Sequence, residues 1–453
     1  MERGLWSRML TAAVAAAVAV AFADSSIVVL ALPELYSDFE TTITGIAWVI
    51  TGYNLAVALV ALALVLFVHR IRAHVVLAAG LLVFLSASIA CSLADSLTFL
   101  IIARSVQGVG GALLLAGSLP VLGSLLGSTE RGAVVWTLAG TFGVALGPAL
   151  GGALTQAFAW QAIFVAQAPV AGVALLATFR SHVYATADEH WTPLLRRTIP
   201  ANISLGLVFG ALVGALFLGV LLVITVWGYS PIAGAAIVSV LPAATLSARP
   251  LETRLPRLLA ICAGAALLAL GLVGLAFLPS SSLAFPMASL ALCGVGLGLS
   301  VPVLTHAVLS KEAGLAQSGT FTIGVRHLGL VVALALAAPI LAADLEPAGD
   351  RATLNATAVI IDGEIPLQTK IPLALDMRST LEQAQQGEIP DFTEPFDQAG
   401  AQTNEAVRDL RDELIQTIEA AITRGFRSAF LVSALLAALA LVPALLYRRR
   451  VTA

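Results

Sequence analysis

Asp24 stands inside the first long apolar run of the chain, and Arg104 inside the fourth. A charge at the centre of a bilayer costs ~2.5–3.5 kcal/mol on insertion scales, so such residues mark proton relays, substrate paths or buried pairs. A carboxylate there can take up and release a proton, and an arginine can gate a substrate or proton. The alternative is a fixed ion pair that clamps the first helix to the fourth. Arg104, Gln107, Gly108 and Gly111 fall at i, i+3, i+4 and i+7, one face of a helix. The two glycines admit a close neighbour, which turns the arginine and the amide toward protein rather than lipid. In the fifth run Gly140, Gly143, Gly147 and Gly151 form a smooth stripe beside Gly152, and Pro148 removes one backbone hydrogen bond and bends the helix. Such a stripe lets two helices pivot, or merely pack. Tyr53, Asn54, Gln107 and Arg326 are the remaining candidates for a substrate cavity, although a lone membrane amide also serves to bond a neighbouring helix.

These residues need long apolar helices to position them, and the composition supplies them. Of 453 residues, 59% are hydrophobic and 11% charged, against about 25% charged in a soluble domain. Runs of roughly 18 or more apolar residues recur, which predicts a polytopic helical membrane protein rather than a β-barrel. Twelve spans are expected, at about 10–32, 46–68, 75–94, 97–122, 133–155, 160–179, 203–226, 231–248, 258–278, 284–304, 318–341 and 429–447. The first run lacks a convincing small-residue cleavage site and reads as a span, not a signal peptide. Cys91, Cys262 and Cys293 all lie in apolar runs and read as buried thiols. No phosphate-cradling glycine loop, metal-ligand spacing or nucleophile elbow stands out, so neither an enzyme nor a cofactor is expected.

Alternate connections carry Arg3, Arg8, Arg70, Arg72, Arg131, Arg180, Arg196, Arg197, Arg249, Arg254, Arg257, Lys311 and Arg448 to Arg450, while the opposite short loops carry no Lys or Arg. Both termini are therefore expected in the cytoplasm. The chain divides into a six-helix half at 1–179, a cytoplasmic linker at 180–202, a second half at 203–447 and a tail at 448–453. Within the second half, 342–428 is a long outer segment with 16 acidic and 7 basic residues, a net of −9, in a chain whose total is −3. Asp362-Gly363 predicts a β-hairpin over 357–370. Val407, Leu410, Leu414, Ile418 and Ile422 predict a helix running into the last span. The segment reads as a solvated cap, or as a docking element for a substrate or partner.

The depths of the two charges agree. Asp24 lies nine residues before Pro33, ~13 Å from the outer end of its span, and Arg104 is seven residues from Leu97, ~10 Å. Equal depth permits a pair between them wherever their two helices are neighbours.

The fourth- and fifth-span runs, Arg104 to Gly111 and Gly143 to Gly152, resemble motifs of the major facilitator superfamily, in particular its drug:proton antiporter branch. Asp24 with Ile27 to Pro33 resembles that branch's first-helix motif. Trp48, Thr51, Tyr53 and Leu55 are similar to its second helix, Trp160, Ile163, Phe164 and Pro169 to its sixth, Gly228 to Pro231 with Ala233, Gly234 and Pro242 to its eighth, and Arg326 with Gly329 to its eleventh. The loop at Val68 to His74 departs from the pattern, with His69 where an acidic residue is usual. The resemblance implies an all-α fold of two six-helix halves around a cavity lined by spans one, two, four, five, seven, eight, ten and eleven. It implies a monomeric secondary transporter of the cytoplasmic membrane, exporting amphipathic compounds against a proton gradient, with Asp24 and Arg104 in the coupling. Export of a lipid or endogenous metabolite, and a non-transporting receptor on the same fold, remain as alternatives. The partners expected are the bilayer and a small substrate, with no nucleic acid.

Overall fold

The computed structural model describes residues 2–180, 194–278, 283–309, 315–383, 389, 392–402 and 404–451. Most of the expected linker at 180–202, and the connection around 279–283, lie outside the described residues.

Each described element is a helix, as lipid demands of a chain that must satisfy its own backbone hydrogen bonds. The first half comprises α1 (Glu2–Ile27), which bends through a 3-10 turn into α2 (Leu32–Asp38), then α3 (Ile43–Leu64), α4 (Ala73–Ser92), α5 (Leu97–Leu125), α6 (Thr129–Ala157) and α7 (Gln161–Arg180). The second half begins with α8 (Leu194–Val220) and continues through α9 (Pro231–Val238), α10 (Val240–Ser247), α11 (Arg249–Glu252), α12 (Arg257–Ala276) and α13 (Ala284–Val308). It ends with α14 (Leu315–Asp362), α15 (Leu367–Gln383), α16 (Thr393–Gln398), α17 (Glu405–Gly425), α18 (Arg427–Leu439) and α19 (Leu441–Val451). Eleven helical stretches among the described residues are long and apolar enough to cross a membrane, several of them built from consecutive elements, and α7 is the twelfth apolar helix. Polar caps set several starts: the hydroxyls of Thr42, Ser96, Ser128 and Ser230 accept from the backbone N–H three residues on, opening α3, α5, α6 and α9.

The outer segment corrects one expectation. Residues 357–370 form no hairpin: α14 runs unbroken to Asp362, Gly363 closes it with an N–H to the Val359 carbonyl, and α15 starts at Leu367. Ala348, Ala352, Ala356 and Ile360 recur at helical spacing and are all buried, and that burial outweighs the local turn preference of Asp-Gly. With 48 residues α14 is ~70 Å long, more than twice the ~30 Å hydrocarbon core, so it stands well clear of the bilayer. The helix expected from Val407 to Ile422 is present as α17, whose five periodic side chains are buried. Cys91 and Cys293 are buried as expected, whereas Cys262 is only partly so.

The α6 stripe meets α1. Gly143 stands against the Ala19 carbonyl, Gly147 against Ser26 Oγ and Gly151 against the Ile27 carbonyl. Gly152, one residue further round, instead faces Pro231 and Ala235 of α9 in the other half. The small residues thus seal one end of the bundle. The other, basic end carries Arg70, Arg72, Arg131, Arg249 and Arg254 in the first turns of helices or in the connections between them.

Candidate functional site

Two polar arrangements lie at mid-depth, one inside the first half and one where the halves meet. The first is a closed ring. Arg104 Nη2 of α5 pairs with Asp24 Oδ2 of α1 at 2.6 Å, and neither side chain is exposed. Arg104 Nη1 donates to Gln107 Oε1 at 2.6 Å. Gln107 Nε2 donates to Gln167 Oε1 of α7 at 2.8 Å, and Gln167 Nε2 donates to Asp24 Oδ1 at 3.0 Å, which closes the circuit. Arg104 Nε reaches the Val49 carbonyl of α3 at 3.1 Å, and Gln107 Nε2 also donates to Ser88 Oγ of α4. Five helices therefore converge on one buried ion pair. The Arg104 guanidinium lies 4.4 Å from the Tyr53 ring centroid and 5.6 Å from that of Phe164, both negative faces toward it. Gly108 lies against the Tyr53 carbonyl and Gly111 against its hydroxyl, so the α5 glycines bring α3 close enough to form this shell.

The sequence reading did not single out Gln167, a member of the ring, or Ser88, which accepts from it. Gln167 is an amide in the apolar run of the sixth span, the same signal that flagged Asp24.

The second arrangement bridges the halves. His327 Nδ1 of α14 lies 2.7 Å from Asn54 Oδ1 of α3, and since an amide oxygen only accepts, the ring donates. Ser25 Oγ of α1 donates to the same oxygen at 3.0 Å. Next to His327, Arg326 is sandwiched between Phe209 of α8 at 3.6 Å and Phe22 of α1 at 4.5 Å, and its Nε has no hydrogen-bond partner.

Arg326 lines a cavity of about 120 Å³ between the halves. Its walls come from α1, α6, α8, α10, α13 and α14, with Phe22, Trp136, Pro148 and Phe209 among them, and it extends to Arg249 at the basic end. This corrects the expected lining: α3 and α5 take no part in it. Leu62 and Leu119 of those helices abut Gly324 and Gly319 of α14, so that side of the interface is packed shut. Of the four cavity candidates only Arg326 lines it, while Tyr53, Asn54 and Gln107 are fully buried between helices. Asp24 is likewise excluded. Two residues apart on a helix, Phe22 and Asp24 point to opposite sides of α1, one into the cavity and one into the ring.

A family model described as Major Facilitator Superfamily matches residues 14–341. The chain is 31% identical over 244 residues to the methylenomycin A resistance protein of Streptomyces coelicolor, a match spanning 52% of this chain and 49% of that one. It is 27% identical over 434 residues to the multidrug resistance protein Stp of Mycobacterium tuberculosis, covering 78% and 80% of the two chains. The match thus spans about half the length of the first relative and four-fifths of the second. Among solved structures, a bacterial homolog of the human lysosomal transporter Spinster, inward-facing and unoccupied, aligns over 98% of this chain and 97% of its own with a TM-score of 0.64 at 15% identity. A D-xylose–proton symporter aligns over 72% and 88% with a TM-score of 0.59 at 14% identity.

Proposed function

The chain belongs to the major facilitator superfamily, and from that premise we propose that it exports amphipathic organic compounds in exchange for protons. The relatives named for drug resistance support export, and the drug:proton antiporter motifs quoted above support antiport. Positive residues at one end of the bundle support a cytoplasmic-membrane protein with both termini inside. The cavity then faces the cytoplasm.

One observation carries the coupling. Helix α1 holds a cavity wall on one side, Phe22, and the ring carboxylate on the other, Asp24. Protonating Asp24 removes the charge that Arg104 and Gln167 grip. The ring then loosens, α1 moves against the α6 stripe, and the cavity wall moves with it. A proton entering through 100 mV supplies ~2.3 kcal/mol for this step. Asp24 is the carrier in this scheme, and Arg104 is the counter-charge that resets it.

The test is proton flux in proteoliposomes with an imposed pH gradient, a panel of charged and neutral amphipathic compounds, and Asp24→Asn beside the native protein. Proton release triggered by substrate in the native protein and absent in the variant supports the scheme. Equal release in both demotes Asp24 to structure, and none in either removes antiport altogether.

A second reading, export of a lipid or endogenous metabolite assisted by 342–428, is favoured by one feature. Leu367, Ile371 and Leu375 lie along one side of α15 and are exposed, an apolar face on an otherwise acidic segment. Deleting 342–428 separates the two: small-compound export survives the deletion on the first reading, and all transport is lost on the second.

A further inference from the structure

We propose that Arg326 seats a negatively charged group of the substrate, and that the cavity accepts amphipathic anions in preference to amphipathic cations. This rests on the transport reading above and names its substrate class.

Aromatic rings enclose the Arg326 guanidinium. Phe209 and Phe22 stack near it at 3.6 and 4.5 Å. Among the described residues no carboxylate pairs with it, and Nε is buried without a partner. An arginine stacked between rings keeps its in-plane N–H edge free, and that edge is the part that grips a carboxylate or phosphate with two parallel hydrogen bonds. Burying a charge with no partner is costly, and a position that holds one open at a cavity wall is matched to a charge that arrives from outside.

The rest of the lining agrees. Among the described residues no Asp or Glu contributes to the wall, and its other charged member is Arg249, exposed at the basic end. A positive mouth draws anions inward and repels cations. Between the two arginines the wall is mainly apolar, with Trp136, Leu212, Leu216 and Leu297 to hold a hydrocarbon or aromatic body and the Thr137 and Thr305 hydroxyls as neutral partners. An amphipathic cation would find rings here and no counter-charge. Arg104 makes the contrast: that arginine has its carboxylate at 2.6 Å, and Arg326 has none among the described residues.

The test is isothermal titration of the purified full chain in a neutral detergent with three probes of one shape: 2-naphthoate, its methyl ester, and 2-naphthylmethylammonium. Naphthoate is expected to bind roughly tenfold or more tightly than either of the others, the scale of a charge-assisted hydrogen bond. R326Q should abolish that preference. R326K keeps the charge without the fork, so it should retain the order of the probes with weaker naphthoate binding, and it carries the test if R326Q does not fold. Equal binding of the ester or the cation, or naphthoate binding unchanged in R326Q and R326K, would overturn the proposal. Two sources share this chemistry, and nanodiscs separate them. If phosphatidylglycerol discs weaken naphthoate binding relative to phosphatidylcholine discs, a lipid headgroup occupies the seat; if both give the same affinity, the anion is a soluble one. Binding needs no proton exchange, so failure of antiport and failure of the anion seat are read independently.

Discussion

Arg104 and Arg326 are two arginines at mid-depth in the same bundle, and the protein treats them in opposite ways. Arg104 lies in the first half with every contact internal: one carboxylate, one amide, one carbonyl and the face of Tyr53. Arg326 lies in the second half with two rings, no carboxylate among the described residues and a cavity in front of it. The first is neutralised by residues from its own half and so ties five helices together. The second keeps at least one N–H, that of Nε, without a partner among the described residues. A membrane arginine is therefore not one signal but two, and the neighbours decide which.

The sharpest way to break this contrast is to remove one charge at a time and follow thermal unfolding in detergent. Arg104→Gln leaves the Asp24 carboxylate buried without its partner, and should cost about 3–5 kcal/mol. The double variant Asp24→Asn, Arg104→Gln should recover most of that loss. A single variant as stable as the native protein would mean that the pair is not held dry. Gly143→Leu pushes α6 off the Ala19 carbonyl of α1, so overpacking of about 1–3 kcal/mol is expected, together with slowed transport. Arg326→Gln should change stability by less than about 1 kcal/mol, because lost stacking is offset by relief of an unpaired buried charge. A loss comparable to that of Arg104→Gln would reveal a hidden structural partner and collapse the comparison. A similarly small change, about 1 kcal/mol, is expected for Gln167→Leu, which removes two hydrogen bonds of the ring, each worth about 0.6 kcal/mol in a membrane bundle. Its mark is the proton-release profile rather than the melting temperature, since Asp24 loses one of its two donors.

Much of the ring was legible in the chain. Asp24 and Arg104 declared themselves as charges in apolar runs, and counting residues from the span ends put them at one depth. The spacing of Arg104 and Gln107 placed the amide on the same face. What spacing cannot tell is which neighbour an amide will choose. Asn54 and Gln107 were equally good candidates for a cavity, and both are wholly buried, one bridging to His327 and the other closing the ring. The hairpin over 357–370 failed for a related reason. Asp-Gly is a local preference of a few residues, and it yielded to the burial of Ala348, Ala352, Ala356 and Ile360 along a helix twice as long as its membrane crossing.

Periodicity and hydropathy are properties of the chain, so the sequence by itself determined that apolar helices span a membrane, that the charge of 342–428 is negative, and that Asp24 and Arg104 lie at one depth. They follow from counting residues at 1.5 Å per step through a slab of known thickness. Which wall of the interface stays open is a property of contact between halves far apart in the chain. Leu62 and Leu119 against α14 close one side, while the opposite side leaves room at Phe22, Pro148 and Arg326. That choice depends on side chains from opposite halves packing or failing to pack, and no local pattern records it. The tertiary structure alone therefore decided that Arg326, and not Tyr53, Asn54 or Gln107, faces the cavity.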